Sequence, residues 1–386
     1  MRSLTYVAAN DITLLESGIA FFPALTAAID AARFDIYFET YIWAEDKVGN
    51  AMRDALLRAA ARGVKVRVIV DWFGSGGRVA SRLGMAMIEG GVHYRIFNPW
   101  FRRGLARSHR KIAVIDRELA FVGGININDD WFCDYDPNKP LPAPRWDFAV
   151  EVRGPLVAHV HREAQAQWAR VGHMNLVRRI GLFREMRRQP IGMGERPMLA
   201  AFVVRDNLRH RRTIQRAYLQ AIGRAKRSVL LANPYFAPGR KLREALMQAA
   251  RRGVDVRLVI GVGEFRMQDM VAHSFYPRLL AAGVKIYEYR KTQLHGKVAV
   301  VDEDWATVGS SNCDGLSLFV NQEANVVVRD PVFAATVRKH VERGMLDAVP
   351  VALEDMKQLG WCRRTSYGVA YRLYKLAMRL FAVGYA

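Results

Sequence analysis

His109 and Lys111 stand two residues apart, and Asp116, Gly123 and Asn126 follow them in the run HRKIAVIDRELAFVGGIN. The same residue types recur at the same spacings as His295, Lys297, Asp302, Gly309 and Asn312 in HGKVAVVDEDWATVGSSN. A single His on an apolar run would read as a hydrogen-bonded structural residue. Recurrence of the whole set reverses that reading. Two half-sites in one chain are expected to make one shared active centre.

The residue types suit phosphoryl chemistry. In IAVID and VAVVD the apolar residues are small or β-branched, so His and Lys two apart fall on one face of a buried strand. That face pairs a nucleophile or base with a fixed positive charge. Lys111 and Lys297 are suited to holding phosphate oxygens, and Asn126 and Asn312 can donate amide hydrogen bonds to the same group. One neutral His can attack phosphorus while the other, protonated, gives its proton to the departing alcohol; the roles reverse when an acceptor alcohol or water enters. Asp116 and Asp302 lie where each apolar run meets a turn, which leaves two readings open, catalysis and fixing of the hairpin. Gly123, Gly124 and Gly309 read as places of close backbone approach.

The elements that must position these residues are duplicated too. DIYFETYIW near Asp35 matches SVLLANPYF near Ser228, and ARGVKVRVIVDWFGSGG matches RRGVDVRLVIGVGEF. Further on, GGVHYRIF matches AGVKIYEY. Each half reads strand, helix, strand, helix, strand, motif hairpin, which predicts an α/β sheet flanked by helices. The helices MRDALLRAAARG and LREALMQAARRG should end at Gly63 and Gly253, where glycine takes the left-handed cap conformation. Pro and Gly cluster between Arg187 and Pro197, and the joint between halves is expected there. The division expected is a first half over 1–190, a second over 191–345, and an amphipathic membrane-associating segment over 346–386.

With the paired His-x-Lys…Asp motif, the opening NDITLLESGIAFFPALTAAIDAARFDIYFETYIW and the central RDNLRHRRTIQRAYLQAI, the chain resembles the phospholipase D superfamily. Within it, the chain looks most like the short bacterial cardiolipin synthases that lack amino-terminal membrane helices. The resemblance implies two pseudo-equivalent phospholipase D-like halves with one active site at their interface. It implies a phosphatidyltransferase that joins two phosphatidylglycerols into cardiolipin plus glycerol through a phosphohistidine, with His109 as the nucleophile. His109, Lys111, Asp116, His295, Lys297 and Asp302 are then catalytic, and Asn126 and Asn312 bind substrate. In relatives a carboxylate downstream of each motif orients the catalytic His; the best matches are Asp147 in RWDFAVEV and Glu323 in NQEANVVV. An apparent insertion, DDWFCDYDPNKPLPAPR, precedes Asp147. After Asn312 the chain reads DGLS where relatives often place an Arg before the Ser. The alternatives are a phospholipase D hydrolase or a transphosphatidylase with another acceptor, and a nucleic-acid phosphodiesterase on the same scaffold.

Composition bounds the rest. At 386 residues and about half hydrophobic, the chain can bury a sizeable core in about two domains. Cys133, Cys313 and Cys362 are odd in number and widely spaced, which argues against a disulfide framework or a cysteine metal site. No metal ligands and no cofactor are expected. The balance of 58 Lys+Arg to 37 Asp+Glu, a formal +21, is spread along the chain, at Arg102-Arg103, Arg178-Arg179, Arg187-Arg188, Arg209 to Arg212 and Arg251-Arg252. Such a field attracts polyanions. The partners expected are anionic phospholipid, phosphatidylglycerol first, and a membrane surface, with nucleic acid bound only nonspecifically. The start has no unbroken apolar core before Asp11, so no signal peptide is expected. IAFFPALTAAI is too short to span a bilayer and is broken by Pro23. From Tyr367 onward the chain reads YGVAYRLYKLAMRLFAVGYA, with Arg372, Lys375 and Arg379 on one side and a wide apolar surface on the other. A packed terminal helix and an interfacial membrane helix both fit that pattern. Peripheral attachment to the cell membrane from the cytoplasmic side is the expected location.

Overall fold

The computed structural model describes residues 4–102, 104–134, 136–172, 197–207 and 210–381. The expected joint lies outside these residues up to position 196, as do positions 103, 178–179 and 209 of the basic runs and positions 382–386. Two compact units are present: Met1–Asp130 with Ala149–Phe202, and Trp131–Phe148 with Val203–Ala386. The segment Trp131–Phe148 thus follows the first motif in sequence and is part of the second unit.

In the first unit the motif strands Lys111–Ile115 and Leu119–Gly123 form an antiparallel hairpin with Lys111 opposite Gly123. Lys111–Ile115 also pairs antiparallel with Asp35–Thr40, which runs parallel to Lys65–Asp71, itself parallel to His93–Phe97. On the other side of the hairpin, Leu119–Gly123 pairs antiparallel with Phe148–Arg153. The second unit repeats this arrangement strand for strand. Val298–Val301 pairs with Trp305–Gly309 and with Ser228–Asn233; Ser228–Asn233 runs parallel to Asp255–Gly261, and that strand to Lys285–Tyr289. Glu323–Arg329 closes the series beside Trp305–Gly309. The mixed sheet with flanking helices is what the duplicated sequence pattern predicts.

Strand alternation distributes the core. Ile36 and Phe38 join Leu25, Leu56, Val68 and Met87 in a cluster roofed by helices Ser17–Ala31, Lys47–Ala61 and Gly77–Glu89. Tyr37, pointing the other way, packs its ring edge-on against His161 of helix Leu156–Val171. Successive residues of one strand therefore meet helices on both faces. Helix Pro331–Met345 packs on the hairpin strands of the second unit as Leu156–Val171 does in the first.

The two expected helix stops are present. Gly63 and Gly253 take φ of 89° and 88°, and the amides of Val64 and Val254 reach back to the carbonyls of Ala59 and Ala249 at 3.2 and 3.1 Å. That pairing satisfies helix-terminal carbonyls, and it requires a left-handed residue at the glycine. Each helix is thereby turned back sharply into the next strand, Lys65–Asp71 or Asp255–Gly261.

Candidate active site

In the first unit His109 precedes the hairpin strand and Lys111 begins it, both buried. The Lys111 amine donates to the His109 carbonyl at 3.0 Å, which curls the long side chain back along its own strand. Tyr41 closes over the pair, its ring centroid 4.7 Å from that of His109 and 5.0 Å from the Lys111 amine. Between them Arg110 points away and makes a buried bidentate pair with Glu39, with nitrogen–oxygen distances of 2.7 to 3.0 Å. Burial raises the Glu39 carboxyl above its ordinary range against the pull of the Arg110 guanidinium. Asp71 fixes the approach to the motif by accepting from the Ser108 amide at 2.7 Å while also capping the Trp72–Ser75 turn through Phe73 and Gly74. Burial pushes Asp71 up to about 6. Glu39 and Asp71 were not singled out in the sequence, although both lie at or near the carboxyl-terminal ends of apolar strands in the sheet of the first motif.

In the second unit His295 and Lys297 are almost wholly inaccessible. Asp147 Oδ2 lies 2.6 Å from His295 Nδ1, and Asp134 Oδ2 lies 3.5 Å from Nε2. Asp134 in turn pairs with Arg145 at 3.1 Å. The backbone holds the two segments together: the amides of His295 and Gly296 both donate to the Trp146 carbonyl, at 2.8 and 2.9 Å, and Trp146 donates to Gln293 at 2.9 Å. A β-carbon on Gly296 would come within 2.7 Å of the Phe148 ring. This explains why the residue between His and Lys is glycine here and arginine in the other motif: one must clear Phe148, the other must pair with Glu39.

Around Lys297 the field is acidic. Its amine donates to the His295 carbonyl and lies 4.0 Å from Asp147 Oδ2. Burial pulls the Lys297 amine down, and Asp147, Asp134, Glu323 and Glu264 push it up. Glu264 receives a 2.5 Å hydrogen bond from Gln293, whose own oxygen accepts from Arg145 Nε at 3.3 Å. Burial and the Asp134 charge push Glu264 up to about 8, so it is mostly a neutral acid at pH 7. No motif in the sequence marks Asp134, Arg145, Gln293 or Glu264. Three of the four lie where no repeat marks them, in the insertion or just before the second motif.

The structure brings Asp147 to a motif histidine, and the buried Glu323 carboxylate accepts from Ser310 Oγ at 2.5 Å and acts on the Lys297 amine. Asn126 accepts from the Ile42 amide at 3.3 Å; among the described residues its buried Nδ2, and the buried Oδ1 of Asn312, have no hydrogen-bond partner. Asp314, at the departure from the family pattern, caps helix Gly315–Phe319 by accepting from the Ser317 amide at 2.7 Å.

Asp116 and Asp302 have matching surroundings of another kind. Asp116 accepts from the amides of Arg33, Phe34 and Asp35 at 2.7, 2.7 and 3.0 Å. Asp302 does the same for Lys226, Arg227 and Ser228 at 3.0, 2.7 and 3.0 Å. Both take φ of 50°, a left-handed conformation that Asp tolerates better than most residues. Of the two roles open in the sequence, this geometry is that of the hairpin fastener, tying the turn to the start of the neighbouring strand.

Comparison with known proteins supplies the lineage. Cardiolipin synthase B of Salmonella typhimurium is 42% identical over 340 residues, 86% of this chain and 80% of that protein. The Escherichia coli K12 protein of the same name is 39% identical over 348 residues, 86% of this chain and 79% of its own length. Among solved structures, the phosphatidylserine synthase of Haemophilus influenzae Rd KW20 superposes with a TM-score of 0.73 at 14% identity, covering 98% of this chain and 96% of that one, which establishes a shared fold. Residues 25–138 and 218–345 match the family described as "Cardiolipin synthase, PLD-like domain", one stretch around each motif, and the chain belongs to that family.

Proposed function

We propose that the protein is a phosphatidyltransferase that converts two phosphatidylglycerols into cardiolipin and glycerol through a phosphohistidine. The observation that carries the reading is the Asp147–His295 pair beside Lys297, in one of two copies of the same motif. The lipid substrate follows from the two synthases that match most of the chain at about 40% identity.

In the first step His109 Nε2 attacks phosphorus, the bond from phosphorus to the glycerol oxygen breaks, and His295 gives its proton to that oxygen. In the second, His295 takes the proton from a hydroxyl of the second phosphatidylglycerol, whose oxygen displaces His109 from phosphorus. Two carboxylates face the His295 ring, one at each nitrogen, so the imidazolium required of the acid would be paired there. Asp147 holds Nδ1, and Nε2, 3.5 Å from Asp134 Oδ2, is the nitrogen assigned to exchange the proton. Lys111 and Lys297 oppose the charge developing on the phosphoryl oxygens, and Asn126 and Asn312 bind the same group. Asp116 and Asp302 belong to the scaffold in this assignment. Transfer rather than hydrolysis requires that the acceptor hydroxyl be held and water kept out.

Among the described residues no helix is long and apolar enough to cross a membrane. We place the enzyme at the membrane surface as a peripheral protein, on the cytoplasmic side, with loose charge-driven binding of nucleic acid and no turnover of it.

The test is mass spectrometry of products formed from defined phosphatidylglycerol vesicles by wild type, His109→Ala and His295→Ala. Cardiolipin and glycerol should appear with the wild type alone, and a phosphatidyl adduct should be trapped on His109. Phosphatidic acid as the sole product makes the enzyme a hydrolase. DNA cleavage at rates comparable to lipid turnover, lost in His109→Ala, overturns the lipid assignment, and full activity in either alanine variant removes the two-histidine mechanism.

A further inference from the structure

Helix Trp361–Phe381 has two dissimilar faces. One is packed within the second unit. Ala370 and Met378 are buried, Tyr371 meets Phe275 ring to ring at 5.1 Å, and Tyr367 meets His273 at 5.2 Å. The Tyr374 hydroxyl accepts from the Gly315 amide at 2.7 Å and donates to the Ala237 carbonyl at 3.3 Å. Several residues of the wide apolar surface expected from sequence are therefore spent on packing.

The opposite face is apolar as well. Val369, Leu373 and Leu376 follow one another at spacings of four and three, on one side of the helix, and are 47, 53 and 56% exposed. Trp361, at the start of the helix, is 78% exposed. Beside them runs a groove of about 410 Å³ walled by Met267 and Met270 of helix Arg266–His273 and by Ala370 and Leu373. Met267 is itself 55% exposed. The charges on this helix are all of one sign: Arg363, Arg364, Arg372, Lys375 and Arg379, with no Asp or Glu between Trp361 and Phe381.

We propose that this face docks on an anionic phospholipid bilayer, with Val369, Leu373, Leu376 and Trp361 entering the headgroup–acyl boundary and the methionine-walled groove receiving an acyl chain. The inference rests on the reading of the enzyme as one that handles phospholipid. An exposed apolar stripe on a helix whose charges are all cationic complements a surface that is apolar below and negative above. A groove of this size is within the range of small-ligand sites, about 300 to 1,000 Å³, and methionines adapt their shape to a flexible chain. The packed face keeps the helix anchored to the second unit while the other meets lipid, so docking needs no unfolding of the helix from its seat.

The experiment uses the full chain with phosphatidylcholine vesicles containing increasing phosphatidylglycerol. Wild type should sediment with the vesicles more as the anionic fraction rises and less as salt rises. Lipids brominated in the acyl chain should quench the part of the fluorescence that Trp361→Phe removes. The triple variant V369S/L373S/L376S should lose roughly tenfold or more in partitioning, and each of Arg372→Gln and Arg379→Gln about fivefold. All these side chains are exposed, so the unfolding midpoint should hold. Equal partitioning of the triple variant and wild type, an unquenched Trp361, or a dimer dispersed by the triple substitution overturns the proposal. Turnover of detergent-dispersed phosphatidylglycerol is read in parallel. Normal turnover with failed docking removes only this inference, whereas normal docking by an enzyme that forms no cardiolipin removes the reaction.

Discussion

Asp147 and His295 are 148 positions apart in the chain and 2.6 Å apart in space. The carboxylate follows the first motif in sequence, yet the imidazole it holds belongs to the second. The pairing depends on the backbone bonds from His295 and Gly296 to Trp146, which seat the two segments side by side. A charge-assisted bond of this kind fixes both the tautomer and the ring orientation.

Asp147→Asn should therefore keep the fold and lose the chemistry. An amide in place of the carboxylate no longer favours imidazolium and can support the wrong tautomer; in a comparable His–Asp pair that change costs about 10⁴ in kcat. We expect kcat to fall by roughly 10² to 10⁴ with KM little changed. A small loss of kcat that tracks a lowered melting temperature marks Asp147 as merely structural.

Lys297→Met should be nearly as severe, by a different route. In the proposed reaction the amine supplies a fixed donor where phosphoryl charge develops, and loss of one such donor typically costs about 3 to 4 kcal/mol of transition-state stabilisation. It also offsets Asp147, Asp134, Glu323 and Glu264, so its removal leaves buried negative charge less well balanced. The variant should show reduced thermal stability together with a kcat lowered by roughly 10² to 10³. If the two lysines supply this charge, as proposed, chelators should leave activity largely intact once effects of divalent cations on the lipid surface are controlled. A strict, saturable requirement for one added metal counts against the mechanism.

Asp302→Ala is expected to damage stability more than catalysis. Its carboxylate is the common acceptor for three successive amides, and amide bonds to a charged acceptor contribute about 1.5 to 3 kcal/mol each at best. A total loss of roughly 2 to 4 kcal/mol is expected at neutral pH. Although burial opposes it, the amides of Arg227, Lys226 and Ser228 hold this carboxyl below its ordinary value of 3.8. A depressed folded value means that the stabilisation is present above pH 4 and disappears as pH falls through the folded value. Wild type and variant should thus converge in acid melts, and the folded fraction of the variant should retain turnover. A folded but inactive Asp302→Ala restores the catalytic reading.

Much of this was legible in the sequence because duplication doubles each signal. His109 and His295 share their neighbours, strands and spacing, so the repeat located both hairpins, and the apolar runs around them specified the sheet. Gly63 and Gly253 announced their helix ends because the following strand must begin within a residue or two. Asp147 was reachable through the family pattern, but its partner was not, since nothing local to RWDFAVEV says which histidine the carboxylate meets. Asp134 and Glu264 carry no such pattern. Their importance arises from burial beside His295 and Lys297, a property of how Trp131–Phe148 lies in the second unit. The two faces of Trp361–Phe381 were ambiguous for a related reason: tyrosines at helical spacing serve equally well as packing or as interfacial residues, and only contacts such as Tyr374 to Gly315 decide.

Glu264 offers a test of the acidic surroundings of Lys297 that does not depend on the assigned reaction. Burial, then Asp134, raises its carboxyl to about 8, against the lowering influence of Tyr235, Arg145 and Lys297. The unfolded chain ionises near the ordinary value of 4.5, so the folded state binds a proton that the unfolded state has already lost. Stability from this group is then complete below about pH 4.5 and declines as pH rises through 8. Glu264→Gln keeps an oxygen to accept from Gln293 and cannot ionise, so its melting temperature should hold between pH 6.5 and 9 where that of the wild type falls. The difference between the two curves should widen up to about pH 8 and level off above it. Parallel curves across that range would mean that Glu264 is ionised throughout, and that Lys297 faces a larger negative charge than this structure assigns to it.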